Sequence, residues 1–570
     1  MKKRLLALLL IAAVTLPAVG CKKPAPVNTD NSTKQETTAK TETPESEETA
    51  EAEDEELSDG FIQPIVYSKS YFETDEETSD LLIDGCIQTV QISEESQETY
   101  PELAKALKEL SEGEEKTKDE EFEENLLDAR RSHAELAENY LAEKDETHVF
   151  IRRADSKVFS YLNEHYSYLG GAHGSTMYGG MNFDPKTGKE IQYSDIVKDS
   201  DKLQKALAET IKNDFPDLLL DGIGADYEEN MKIYFENGYS PAFTIDNEGV
   251  TFYFGSYGLG SYAAGNQFVT LPYSKYADLF SEDILPEKEG GYIMEIPRFN
   301  STFADVDNDG DTEAISVNTT VHYDGDPAAY DPDTIDEYHV DIYVVVDGEQ
   351  YLIKDEYEVF GTDCRLVKTE GKNTFLLLSH ATMNDYTFTN IIKLDGKNKP
   401  KLVDTVWYEM PWIQRDPENE EEEFIYGSLT PVDPSAMLLT ERFDRTATLH
   451  AQNVFKLTED GKLEAQNDEF ISIGYLYGNP IEINVIRDFE GTSIDNYGNT
   501  LEKNFKVEKG EKLFIYRTGE TELEGENTVY VDFLTEDNII LRVYYDETVF
   551  PHTINGTDED QLIENLLYAG

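Results

Sequence analysis

Residues 166–180 read YSYLGGAHGSTMYGG, a run that sets five glycines and three tyrosines around one histidine, His173. Glycine enters φ > 0 without a steric penalty, so Gly170, Gly171 and Gly174 predict a tight loop after a strand. Upstream of it, residues 148–169 (HVFIRRADSKVFSYLNEHYSYL) read as strands, as do 61–72 (FIQPIVYSKSYF) and 85–93 (GCIQTVQIS). Residues 100–141 repeat leucines at helical spacing. Downstream, a helix is predicted near 202–215 (KLQKALAETIKNDF) and further strands across 249–274 (GVTFYFGSYGLGSYAAGNQFVTLPYS). This order predicts an α+β N-terminal module of two small units, bounded at 61–165 and 166–285.

A catalytic histidine needs a nucleophile or metal partners at a suitable spacing, and the chain contains no HExxH, HxxxH or GxSxG pattern. His173 is therefore expected to be structural, its ring satisfying backbone groups in the glycine loop. Tyr166, Tyr168, Tyr178 and Tyr262, with His173, are the candidate ligand-contact residues, because tyrosine offers a large rigid surface with a polar tip.

The 570 residues are too many for one core and imply several domains. They carry 117 acidic against 48 basic residues, a formal charge of −69. Such a surface repels nucleic acid and anionic membranes and attracts cations, whether metal ions or basic proteins. At the N-terminus, MKKR precedes an apolar stretch too short to span a bilayer, then Ala18, Val19, Gly20 and Cys21. This predicts a lipoprotein signal peptide (1–20), an acylated, palmitate-bearing Cys21 as the only membrane anchor, and location on the extracellular face of the cytoplasmic membrane. Residues 21–60 are polar, acidic and almost free of aromatics, so a disordered tether is expected. The other two cysteines, Cys86 and Cys364, are expected to be buried free thiols.

Residues 167–197 (SYLGGAHGSTMYGGMNFDPKTGKEIQYSDIV) and 243–280 (FTIDNEGVTFYFGSYGLGSYAAGNQFVTLPYSKYADLF) resemble the extracellular domain of the anti-sigma factor RsiV. The preceding part, with YPELAKALKEL, looks like the small domain found before the catalytic domain of PdaC peptidoglycan deacetylases. Together the resemblance spans about 61–282. It implies binding of a wall-associated ligand, for RsiV-like domains the cationic hydrolase lysozyme. An anti-sigma factor would need a cytoplasmic domain, and only MKKR precedes the apolar stretch. A PdaC enzyme would need a metal-dependent domain with paired aspartates and an HxxxH-type pair, which this sequence lacks.

From 286 onward short strands dominate. Residues 303–317 (FADVDNDGDTEAISV) place Asp305, Asp307, Asp309 and Glu313 in the pattern D-x-D-x-D-G-x-x-E. Calcium takes about 6 to 8 hard oxygens, and alternating aspartates around a glycine fold several onto one centre. Ser316 stands at the twelfth position, so the loop is not an EF-hand. It resembles the calcium loops of integrin-type (FG-GAP-like) β domains, which implies side-chain oxygens from Asp305, Asp307, Asp309 and Glu313 and a carbonyl from Asp311. Hairpins are predicted at the D-G turns before Gly348, Gly396 and Gly461. The reading is an all-β C-terminal region: propeller-like over 286–495, then a small β-barrel with a tail helix over 496–570. Trp407 and Trp412 are expected in a core or, alternatively, in a sugar site.

The expected function is a non-catalytic cell-surface lipoprotein that binds a cationic wall-associated protein such as lysozyme, or peptidoglycan. The alternative is a cell-wall hydrolase or peptidoglycan-modifying enzyme using acidic pairs, although no spacing singles out a pair.

Overall fold

The computed structural model describes residues 60–568, except 137–138, 216–230, 233–234, 237–240, 260–261, 287–289, 298–299, 324–337, 358–360, 382–386, 397, 410–411, 416–424, 477, 524–525, 565 and 567. The signal peptide, Cys21 and the tether up to residue 59 lie outside the described residues. The protein is mostly β, with several sheets and a few helices.

Strands β1 (Pro64–Thr74), β2 (Leu81–Ile92), β3 (Glu143–Ala154), β4 (Phe159–Tyr168), β5 (Ser175–Asp184) and β6 (Lys189–Glu190) lie side by side in chain order. Only β2 and β3 are parallel, and a parallel pair needs a long crossover. The helix Pro101–Leu136, 36 residues long, supplies it. Leu103 and Leu107 pack on Val90, Ile151, Phe159 and Tyr161, and Leu126 and Ala129 on Leu82 and Ile83. Between these apolar patches the contact is polar: Lys118 Nζ lies 2.5 Å from Asp145 Oδ1, both side chains almost wholly buried. His165 Nε2 reaches the same carboxylate at 2.7 Å. The boundary expected between 165 and 166 falls inside β4, within one continuous sheet.

A three-stranded sheet follows, β7 (Ala242–Ile245), β8 (Gly249–Phe254) and β9 (Gln267–Pro272). Helix Ser200–Asp214 begins at Asp199, whose side chain accepts from the Lys202 amide. Its Leu203, Leu207 and Ile211 bury against Val250, Phe252, Val269 and Leu271. The unit docks on β4 and β5: Asn182 Nδ2 donates to the Phe243 carbonyl at 2.8 Å, and the Ile245 amide donates to Ser160 Oγ at 3.1 Å. A Cβ at Gly180 would stand 1.8 Å from the Phe243 carbonyl oxygen, so only glycine allows this approach.

The C-terminal region starts with β10 (Tyr292–Glu295), β11 (Thr302–Ala304), β12 (Glu313–Tyr323), β13 (Tyr338–Val346), β14 (Glu349–Tyr357), β15 (Gly361–Lys368), β16 (Thr374–Ala381), β17 (Thr387–Asp395) and β18 (Asn398–Val406). Strands β11 to β14 form one antiparallel sheet, and β10 with β15 to β18 another. Ile315, Ile342 and Val344 from the first meet Leu366, Leu376 and Ile392 from the second across one apolar layer. Asp347 and Gly348, both with φ > 0, close the β13–β14 hairpin. Cys364 is buried and Cys86 half-buried, neither in a disulfide among the described residues, and burial pushes the Cys86 thiol up to about 11.

Most of the remaining described strands, from Tyr408–Glu409 to Ile563–Glu564, form a 14-stranded sheet. Here two expectations are corrected. The barrel expected for 496–570 does not close among the described residues, because its strands pair outside that range: Lys512–Leu523 with Glu469–Ser472, and Ile540–Asp546 with Phe489–Ile494. The tail helix is a single 3-10 turn, Glu559–Gln561, followed by strand Ile563–Glu564. Leu562 and Ile563 bury in the sheet's core, and the pairing of Ile563 with Val485 overrides the helical leucine spacing.

The two halves interlock. Strands Ile425–Leu429 and Trp412–Arg415 extend the first sheet beyond β1. At a bulge in β3, Glu295 accepts from the Ile151 amide at 2.9 Å and from Arg365 at 3.0 Å. Arg152 beside it donates to both oxygens of Asp246, at 3.1 and 2.7 Å.

Candidate functional site

The glycine loop turns back at the end of β4, with Gly170 and Gly171 at φ 86° and 102°. It presents His173 to solvent beside the loop between β8 and β9. The imidazole stacks on Tyr262, centroids 3.8 Å apart and planes 21° from parallel. Tyr257 completes the cluster, 5.7 Å from Tyr262 and 6.5 Å from His173. His173 Nδ1 lies 2.9 Å from the Gly174 carbonyl, and Tyr262 Oη donates to that same oxygen at 3.2 Å. A carbonyl only accepts, so Nδ1 carries the proton, and Nε2 of the neutral ring is an acceptor. Tyr166 closes over Gly174, where a Cβ would meet its hydroxyl at 2.4 Å.

The structure thus brings together His173, Tyr166 and Tyr262 of the five contact candidates. Tyr178 lies behind them: it stacks on Tyr253, meets Phe268 edge-on, and accepts from Asn266 at 2.6 Å. Tyr168 turns to its own loop, donating to the Gly171 carbonyl at 3.3 Å. Tyr257, 64% exposed, was missed by sequence reasoning. Its signal was a tyrosine followed by glycine in a turn, GSYG, where glycine or asparagine is the usual choice.

At the second candidate, carboxyl oxygens of Asp305, Asp307 and Glu313 all lie within 4.8 Å of one another. Asp305 accepts from the Asp309 and Gly310 amides at 3.1 and 3.0 Å, and Glu313 from the Val306 amide at 2.9 Å. Burial first, and then the charges of Asp307, Asp347 and Asp305, push Glu313 up to about 7. Asp309, whose carboxylate accepts from the Asp311 amide, and Asp311 have exposed side chains outside this convergence. The loop is fastened to the three-stranded unit: the Asp305 amide donates to Glu248 at 3.0 Å and Ser274 Oγ to the Gly310 carbonyl at 2.9 Å. Lys368 holds Glu248 at 2.5 Å and the Asp305 carbonyl at 2.8 Å.

Trp407, one of the two tryptophans expected in a core, is 60% exposed, its ring edge-on to Phe388 at 5.7 Å. It sits at the turn out of β18, where the chain leaves one sheet for another.

With this geometry in view, the comparison with known families is specific to one segment. Residues 194–274 match the DUF3298 family model. That family model is described as a protein of unknown function, and its match takes in helix Ser200–Asp214, β7, β8, β9, Tyr257 and Tyr262. A DUF3298 family member from Bacteroides fragilis is 16% identical, with a TM-score of 0.31, over 39% of this chain and 95% of that one. A DUF3298 family protein from Pseudomonas aeruginosa is 14% identical, with a TM-score of 0.26, over 40% of this chain and 98% of that one. No curated protein matches the chain.

Proposed function

We propose that the protein is a non-catalytic cell-surface lipoprotein, anchored through Cys21 to the outer face of the cytoplasmic membrane, that binds a cell-wall-associated ligand. The observation that carries this reading is the solvent-facing cluster in which His173 of the glycine loop meets Tyr257 and Tyr262 of the loop between β8 and β9. The stack on Tyr262 and the bond from Nδ1 to the Gly174 carbonyl fix the orientation of the ring and leave its Nε2 open as a hydrogen-bond acceptor toward a ligand. The RsiV-like character of 61–282 supports a ligand in the wall, a lysozyme-like basic protein or the glycan itself. The charge of −69 supports attraction of a basic partner across the whole surface. Asp305, Asp307 and Glu313 supply the hard oxygens that calcium prefers, and we assign them a structural calcium ion.

The test is capture of the full chain, carrying Cys21→Ser for solubility, by purified wall sacculi and by immobilised lysozyme. Retention on either supports the proposal. Retention on neither overturns it, and clearing of peptidoglycan in a zymogram would replace it with the hydrolase reading.

A further inference from the structure

We propose that the face made by His173, Tyr257 and Tyr262 takes a neutral glycan, an inference that rests on the wall-ligand reading and names the ligand's chemistry. Charged residues make up 29% of the chain, yet residues 165–183 and 249–274 contain no Asp, Glu, Lys or Arg. These two segments meet at the aromatic cluster. On a surface this acidic, a face whose two contributing segments carry neither sign of charge offers a basic protein no ion pair from them. It suits a ligand without charge.

The groups that remain match a sugar. A pyranose ring has an apolar C–H face and a rim of hydroxyls. Tyr257 and Tyr262, 64% and 39% exposed, offer aromatic faces with polar tips. His173 Nε2, left as an acceptor because Nδ1 is committed to the Gly174 carbonyl, can accept a hydrogen bond from a sugar hydroxyl.

Backbone conformation supplies an independent argument. The Gly258 amide donates to the Gly255 carbonyl at 2.8 Å, closing a turn in which Tyr257 sits third, at φ 68°. That position favours glycine, and a bulky side chain there is an outlier. The ring does not account for it through burial, since it is mostly exposed. A strained residue displaying an exposed ring marks a recognition position.

Titration of the full Cys21→Ser chain with a β-1,4-linked N-acetylglucosamine tetramer tests this, with lysozyme and sacculi as parallel arms. The tetramer should bind, with an affinity unchanged between about 0.05 and 0.5 M salt, since no charge is available to be screened. Tyr257→Gly removes the ring and the strain together, so it should melt no lower than the wild type yet bind the tetramer at least about tenfold more weakly. Tyr497→Ala, at an 81% exposed tyrosine in the C-terminal sheet, should bind as the wild type does. Full affinity in Tyr257→Gly overturns the proposal. Capture by sacculi or lysozyme without tetramer binding also overturns it while the wall-ligand reading stands, and failure in every arm overturns both.

Discussion

Tyr257 shows how a single residue can be decisive and still escape a reading by residue type. Tyr166, Tyr168, Tyr178 and Tyr262 are singled out by their glycine-rich setting, but which of them face solvent depends on how two loops far apart in sequence meet. Tyr178 lies in the same run as His173, and its ring packs into the wall beneath the face. The strain at Tyr257, of order 1–3 kcal/mol, becomes visible only with the turn's hydrogen bond. The acidic loop is the opposite case, since spacing alone marks it. The structure brings carboxyl oxygens of Asp305, Asp307 and Glu313 together, while Asp309 and Asp311 have exposed side chains outside that convergence. Calcium at 100 times its dissociation constant should stabilise the protein by about 2.7 kcal/mol relative to EDTA. Asp307→Ala should abolish that increment. Melting curves with EDTA and with excess calcium check this, and coincident wild-type curves would reduce the loop to a solvated turn.

Among elements, the helix Pro101–Leu136 was legible because leucines recur at its two ends, while its middle third was not. There Lys118 and Asp145 form a buried ion pair, and Glu114 lies over Asn163. Removing one partner of such a pair costs several kcal/mol because the other charge stays buried. Lys118→Met should destabilise by about 3 kcal/mol in urea unfolding, and adding Asp145→Leu should recover part of that loss. A double variant no more stable than the single would contradict the pairing.

Burial first, opposed by the Asn163 hydrogen bond, pushes Glu114 up to about 7, and the charge of Glu115 adds to the rise. An acid raised on folding contributes stability that is complete below its ordinary range and is lost as pH rises through about 7. Glu114→Gln should therefore stabilise the protein at pH about 8, with the difference fading toward pH about 4.5. Thermal melts of both proteins across that window check the sign. The tail shows the converse. Its leucines have helical spacing, yet Ile563 takes a place in the sheet, a tertiary pairing that local pattern does not encode.

For the whole molecule, the order of periodic segments predicts an α+β beginning and an all-β remainder, and the described helices of more than one turn all lie before residue 286 in a mostly β protein. The closure between the halves was not foreseeable. Ile425–Leu429 pairs on β1, more than three hundred residues earlier in the chain, and Trp412–Arg415 pairs in turn on Ile425–Leu429. Three sheets are joined where the Ile151 amide donates to Glu295 and where Arg152 pairs with Asp246, residues that look unremarkable in sequence. This interlocking fixes the three-stranded unit against β4 and β5, which is what brings Tyr257 and Tyr262 to His173. The central claim is that this assembled face holds the protein to the wall. The most direct measurement is co-sedimentation of the full Cys21→Ser chain with purified sacculi, compared with its His173→Ala/Tyr262→Ala variant, both checked for equal melting temperature. The account predicts that the wild type pellets with sacculi and the variant stays in the supernatant. Equal sedimentation of the two would contradict it.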